Sequence, residues 1–383
     1  MREELKIEKV IYGGYGLSRK NGFVYLIPFT AKGDKVIAEC ERKKDYYLCK
    51  IVEIKEPSPS REKPVCSHFG ICGGCHFQHI NREEELSIKK EIVEENLLRI
   101  GRLKKSVDEI IGLQRFHYRN KLEYNIIDGD FSFNDINNEK LKIEECFIEE
   151  EIIKDYRERK KFQRIEKIII RCDNQGNIIS TGVDRNFKRF IIEKKNNKLR
   201  YKFKDVEFEV SPFSFFQTNT MITEKMIEKV KELLKVEKED VILDGYGGVG
   251  TFGISISGFA KKIFIIEKGK NEVIDATNNL VLNRCDNVKV INIDIDESEE
   301  YLKLSNKIIL DPPREGISKI FCEKLNRYNI EKIIYISCNP ATLARDLGRL
   351  NNYDIEKIII FDMFPMSYHI ETMVLLRNAP GGT

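Results

Sequence analysis

From Asp240 onward the chain repeats one unit: a short apolar strand that stops at an acid or a thiol, then a helical stretch. Val241-Ile-Leu243 runs into Asp244-Gly245-Tyr246-Gly247-Gly248-Val249-Gly250. Lys262 to Ile266 stops at Glu267, Val288 to Ile293 at Asp294, Lys307 to Leu310 at Asp311, and Ile333 to Ser337 at Cys338. Apolar strands alternating with helices predict a doubly wound, mostly parallel α/β sheet. Functional groups of such sheets gather at the carboxyl ends of the strands, where these five side chains fall. Two later strands, Ile355 to Phe361 and Ile370 to Leu376, lie close enough in sequence to pair antiparallel.

Cys338 sits between a strand and a helix. Asn339 suits a helix cap and Pro340 its first turn. The positive end of that helix favours a thiolate, so the ionised fraction of Cys338 is expected to rise. The competing reading is a small buried apolar cysteine. Gly245, Gly247 and Gly250 match G-x-G-x-x-G after a strand and before a helix, and Glu267 ends the next strand, where an acid holds ribose hydroxyls. That pair serves NAD or S-adenosylmethionine equally. Asp311-Pro-Pro-Arg314 and a cysteine after the following strand have no use in a dehydrogenase. A methyltransferase acting on an electron-poor pyrimidine uses both.

The chain has 383 residues, enough for two or three domains, and 41% hydrophobic with 33% charged residues fits a soluble globular protein. Sixty-five basic against 62 acidic residues give a net charge of +3, which neither requires nor excludes nucleic acid. The charged start Met1-Arg-Glu-Glu-Leu-Lys6 has no apolar core for a signal peptide, and no apolar run approaches a membrane span. A cytoplasmic location follows, and with it the expectation that the ten cysteines are not disulfide-bonded.

Residues 1–56 alternate short apolar runs with turns, including a hairpin tip at Arg19-Lys20-Asn21-Gly22, and predict a small β-barrel. Residues 57–64 read as a linker. Cys66, Cys72 and Cys75 then fall within ten residues, with Gly73-Gly74 between the last two. Thiolates so spaced converge on one metal or cluster. Zinc would draw on His68, His76 or His79. An iron–sulfur cluster wants a fourth cysteine, with Cys146 first and Cys172 second. Glu83 to Arg102 predicts an amphipathic helix. His117-Tyr-Arg119-Asn120-Lys121 suits phosphate and base contact or a solvated strand start. Asn134 to Lys140 and Lys194 to Lys198 read as exposed loops, and Thr223 to Val236 as a helix. Asn378 to Thr383 reads as a disordered tail.

Asp311-Pro-Pro-Arg314-Glu-Gly316, the run Ser337-Cys338-Asn339-Pro340-Ala-Thr342-Leu-Ala-Arg345-Asp346, and His369-Ile-Glu371 resemble the RNA uracil-5-methyltransferases. The Cys66 to Cys75 run resembles the iron–sulfur members of that family, and residues 1–56 resemble its RNA-binding TRAM barrel. The resemblance implies a Rossmann-like class I methyltransferase domain over 206–383, a central iron–sulfur domain over 57–205 and the TRAM/OB-like barrel over 1–56. It implies S-adenosylmethionine as methyl donor, a [4Fe–4S] cluster, and RNA as substrate, 23S ribosomal RNA ahead of transfer RNA. By residue it implies Cys338 as nucleophile, Glu371 as general base, and Gln217, Tyr246, Glu267, Asp294 and Asp311 as donor contacts. Cys66, Cys72, Cys75 and Cys146 would hold the cluster. Phe213 or Tyr246 is expected to cover the target base. A monomer is expected.

Two other readings compete with a 5-methyluridine-forming enzyme. A 5-methylcytidine enzyme commonly uses a second cysteine, and Cys322, on a predicted helix, serves poorly. A non-catalytic RNA-binding iron–sulfur protein would not need Cys338 and Glu371 together.

Overall fold

Strands buried on both faces build the carboxyl-terminal half. The computed structural model describes residues 1–184, 188–194 and 198–379. Its largest sheet has eight strands, in the order Val288–Ile291, Lys262–Ile266, Val241–Gly245, Lys307–Leu310, Lys332–Ser337, Glu371–Asn378, Tyr353–Phe361 and Glu109–Ile111. Successive residues bury opposite faces. Leu243, Ile308, Ile333 and Tyr335 belong to one core, Ile242, Ile309, Ile334 and Ile336 to the other. The helices Pro340–Leu347 and Lys319–Arg327 cover the first face, and Thr220–Leu234 the second.

The sheet departs from sequence order in two places. Glu371–Asn378 pairs antiparallel with Tyr353–Phe361, as expected, but also inserts between it and Lys332–Ser337. Glu109–Ile111 then adds a parallel strand to the Tyr353–Phe361 edge, although it lies far upstream in the chain. The helix Arg82–Arg99, capped by the Asn81 side chain, packs Ile88, Ile92, Val93 and Leu97 into the first core. Residues 82–111 therefore contribute to the layer around this sheet.

The first six strands, Arg2–Lys6 to Tyr47–Glu56, form one mostly antiparallel sheet around Leu5, Ile27, Val36 and Ala38. It curls back on itself: Lys20 of Tyr15–Lys20 pairs with Glu3 of the first strand at 2.6 Å. Lys35–Arg42 and Tyr47–Glu56 place Cys40 directly opposite Cys49, and the two are joined as a disulfide. This corrects the expectation of free thiols throughout. A second six-stranded antiparallel sheet runs from Lys140–Lys142 to Arg189–Lys194, with Lys121–Ile127 and Lys167–Cys172 at its centre. Much of the predicted Lys194 to Lys198 loop and most of the predicted tail lie outside the described residues; Asn378 itself ends a strand. Among the described residues no helix is long and apolar enough to cross a membrane.

Lys89 ties the upstream helix to the sheet. Its side chain is fully buried, and its Nζ donates to Glu85 at 3.0 Å, Asp362 at 2.5 Å and the Phe364 carbonyl at 3.1 Å. Removing one partner of a buried ionic set strands the other charges. Lys89→Met should lower unfolding stability by about 3 kcal/mol, read as an earlier urea midpoint. An unchanged midpoint would show that Arg82 alone neutralises Asp362.

Candidate functional site

The parallel strands end together, and a cavity of about 540 Å³ opens over those ends. Gln217, Tyr246, Glu267, Asp294, Asp311, Cys338 and Glu371 all line it. The seven positions named from the sequence are thus brought into one site. Asp244 is the exception among the strand-end acids. It turns beneath the glycine-rich loop, where one carboxylate oxygen accepts from Gly253 N at 2.8 Å and burial pushes its carboxyl up to about 7.

The loop is built for close backbone approach. A Cβ on Gly247 would lie 2.6 Å from Ile265 Cγ2 and 3.1 Å from Asp244 Oδ2, so only hydrogen fits there. Glu267 accepts from Gly248 N at 3.0 Å and Gly269 N at 2.7 Å, which fixes its carboxylate at the cavity wall. Asp294 accepts from Asp296 N at 3.1 Å and Lys268 Nζ at 3.2 Å; these bonds, the backbone one foremost, hold its carboxyl below the usual range. Gln217 Nε2 donates to Asp311 Oδ2 at 3.4 Å. Behind it, buried Asn120 donates from Nδ2 to the Gln217 carbonyl at 3.1 Å and from its backbone to Thr218 at 2.9 Å. The 117–121 run therefore braces the cavity wall at Asn120.

Cys338 follows the strand Lys332–Ser337, and Asn339 caps the next helix by accepting from Ala341 N at 3.1 Å. Ser337 pairs with Thr372, so Glu371 falls beside Cys338 on the neighbouring strand. The expected easy ionisation is not found. Burial, then the charges of Glu371 and Asp311, push the Cys338 thiol up to about 11, with Arg314 acting the other way. Glu371 is raised well above the usual carboxyl range by burial and by Asp311, and burial lifts Asp311 to about 7. Three acidic groups in one enclosed space resist losing their protons together.

Other wall residues were not singled out individually in the sequence. Arg314 supplies the nearby positive charge, and its carbonyl accepts from Asn339 and Thr342, which seats the Asp311-Pro-Pro-Arg314 loop on the Cys338 helix. His369 is held neutral, its imidazole pushed down to about 4 by burial and Arg314. Phe215 and Phe364 line the cavity; Phe213, the sequence candidate for covering a base, does not. The signals for Arg314 and His369 lay inside the quoted motifs. Phe215 carried none beyond its aromatic run.

Cys66, Cys72, Cys75 and Cys146 line a separate cavity of about 340 Å³. His68 also lines it, whereas His76 packs edge-on against Tyr368 and His79 lies on Phe69. Cys172 is buried in the core of the second sheet and does not line this cavity. Among the described residues no three such side chains close on a single point as ligands of one ion do.

A family model described as tRNA (Uracil-5-)-methyltransferase matches residues 154–379. An "Uncharacterized RNA methyltransferase" of Thermotoga maritima is 30% identical, over 98% of this chain and 99% of its own length. Another so named, from Aquifex aeolicus, is 31% identical over 98% of both chains. The crystal structure of Pyrococcus abyssi tRNA (uracil-54, C5)-methyltransferase with S-adenosyl-L-homocysteine is similar at TM-score 0.78 and 27% identity, covering 98% of this chain and all of that one.

A thiol near 11 leaves roughly one Cys338 in ten thousand ionised at pH 7. Its alkylation by iodoacetamide, followed on the Cys338 peptide, should rise about tenfold per unit from pH 7 to pH 9.5. Glu371→Gln removes one group that opposes the thiolate and should speed alkylation at the alkaline end of that window. A rate that levels off below pH 9 would contradict this picture.

Proposed function

The chain belongs to the RNA uracil-5-methyltransferase family, whose enzymes depend on S-adenosylmethionine, and from that premise we propose how this site works. Cys338 acts as nucleophile and Glu371 as general base, and the methylated position is carbon 5 of a uridine. The observation that carries this is the side-by-side placement of Cys338 and Glu371 in the cavity that also holds the glycine-rich turn. Gln217, Tyr246, Glu267, Asp294 and Asp311 hold S-adenosylmethionine, which supplies an electrophilic methyl group. The cavity fits such a ligand: Glu267 ends the second strand, and the Gly247 backbone lies where no side chain fits.

Cys338 sulfur adds to carbon 6 of uracil and raises electron density at carbon 5. Carbon 5, once it has bonded the donated methyl and so carries both that methyl and its proton, gives the proton to Glu371, and the electron pair of that C–H bond re-forms the ring double bond as the sulfur leaves as thiolate. The resting site opposes the first step, because burial and the neighbouring carboxyls raise the Cys338 thiol to about 11. Arg314 favours the anions, and a sulfonium charge in the same cavity favours them further. The target base must leave its stack to reach Cys338, and Phe215 and Phe364 provide apolar walls for it.

Residues 1–56 serve as the RNA-binding barrel, 57–205 as the central domain apart from residues 82–111, which pack with the large sheet, and 206–383 with that segment as the catalytic domain. The four cysteine thiols suit a [4Fe–4S] cluster. They surround a cavity rather than a point, and a tetrahedral zinc site would bring four sulfurs within about 4 Å of one another. The cluster's role is structural, holding the segments that carry the thiols. The protein acts as a monomer, and an RNA substrate supports a cytoplasmic location. The barrel and cysteine run point to 23S ribosomal RNA. Full-length similarity to a transfer-RNA enzyme favours transfer RNA as the second reading.

Cys338→Ala should abolish methyl transfer and keep RNA binding; retained turnover would exclude the covalent route. Glu371→Gln should stall after methyl transfer and leave an enzyme–RNA adduct on a denaturing gel. Protein purified without oxygen should be brown and contain iron and sulfide, and stoichiometric zinc would remove the cluster. Mapping 5-methyluridine in ribosomal and transfer RNA from cells lacking the protein identifies the substrate.

A further inference from the structure

Three distant segments meet at the mouth of the Cys338 cavity. Tyr12, Gly13 and Gly14 form the turn between Lys9–Ile11 and Tyr15–Lys20 of the amino-terminal sheet. Gly13 and Gly14 have φ of +99° and +80°, which other residues adopt only under strain. A Cβ on Gly14 would lie 3.1 Å from His76 Cβ, so this turn rests its backbone directly on the cysteine-rich segment. The seat presents Tyr12 at the surface, 36% exposed and outside the core of its own sheet.

The Tyr12 ring meets Tyr368 edge-on, with centroids 5.3 Å apart. Tyr368 in turn touches His76 at 4.6 Å and His369 at 4.3 Å, and His369 meets Phe364 at 5.6 Å. His369 and Phe364 line the cavity that contains Cys338. Tyr12 also lies within electrostatic reach of Arg314, Cys338 and Glu371. A run of rings therefore leads from the surface of the amino-terminal sheet to the reacting thiol. No packing demand of that sheet explains a tyrosine at its tip.

An extruded nucleotide leaves its neighbours unstacked, and aromatic side chains replace that lost stacking. We propose that Tyr12, backed by Tyr368, is a stacking seat for a nucleobase flanking the target uridine, so that the amino-terminal sheet positions single-stranded RNA over Cys338. This rests on the RNA methylation reading above. It makes Tyr12 an RNA-positioning residue and gives it no part in bond making.

The test compares wild-type, Tyr12→Ala and Tyr12→Phe proteins on an oligouridylate carrying one 2-aminopurine, with methyl transfer from labelled S-adenosylmethionine to total cellular RNA measured alongside. Wild type and Tyr12→Phe should quench the 2-aminopurine on binding. Tyr12→Ala should not, and its KM for RNA should rise about tenfold with kcat changed less than twofold. Equal quenching and equal KM in Tyr12→Ala would overturn the seat while leaving the methylation reading intact, and so would a wild type that binds without quenching. A wild type that quenches through Tyr12 but transfers no methyl to uridine would keep the seat and overturn the methylation reading.

Discussion

The antiparallel insertion of Glu371–Asn378 is the constraint on which the site depends. In a parallel sheet each strand delivers only its last residues to the carboxyl edge. A strand running the other way delivers its first. Ser337 pairs with Thr372, and Phe361 pairs with Glu371, so the register places the start of the inserted strand beside Cys338. A slip of one residue would send every side chain of that strand to the opposite face. Val374 and Leu376 sit in one core and Met373 and Leu375 in the other, so both faces have a stake in the register. The packing of an entire strand thereby fixes the placement of a carboxyl group beside a thiol.

That contact carries an electrostatic consequence. A helix amino terminus follows Cys338, yet burial and two neighbouring carboxyls outweigh it. The dipole effect is modest, typically under about 1 kcal/mol at an exposed site. Moving an acid out of water beside other acids shifts it by more. Glu371 and Asp311 are themselves lifted for the same reason. Burial and mutual repulsion therefore raise all three acids of the free site together, and positive charge entering it favours their ionised forms. Arg314 provides part of that charge from within the chain.

Features legible in the sequence were those that depend on neighbours in the chain. The strand-to-turn junctions placed Glu267, Asp294, Asp311 and Cys338 without reference to anything remote. Cysteine spacing singled out Cys66, Cys72 and Cys75, and the need for a fourth thiol put Cys146 first among the distant ones; all four line one cavity. What the sequence did not reveal depends on pairing across long gaps. Glu109–Ile111 is too short to announce itself, and its partner lies some 250 residues away. Cys40 and Cys49 face each other because of strand register, which composition does not carry. Tyr12 reaches Tyr368 only through a glycine turn seated on His76. The ionisation of Cys338 was misjudged because a helix end is a local signal and burial is not.

The stretch of chain between the two amino-terminal sheets also braces the Cys338 cavity. His76 and Phe77, directly after Cys75, donate their backbone N–H groups to the Met366 carbonyl at 2.7 and 3.0 Å. Tyr118 Oη donates to the Pro365 carbonyl at 3.1 Å. All three bonds grip the loop between Phe364 and His369, which opens directly into Glu371. On the opposite wall Asn120 holds Gln217, and its neighbour Arg119 lines the cysteine cavity. Whatever gathers the four thiols therefore sets, through one or two residues on each side, the position of Glu371 and of Gln217. Ordering of the cysteine segment and geometry of the catalytic cavity are parts of one mechanical unit, although the thiols themselves touch nothing that reacts.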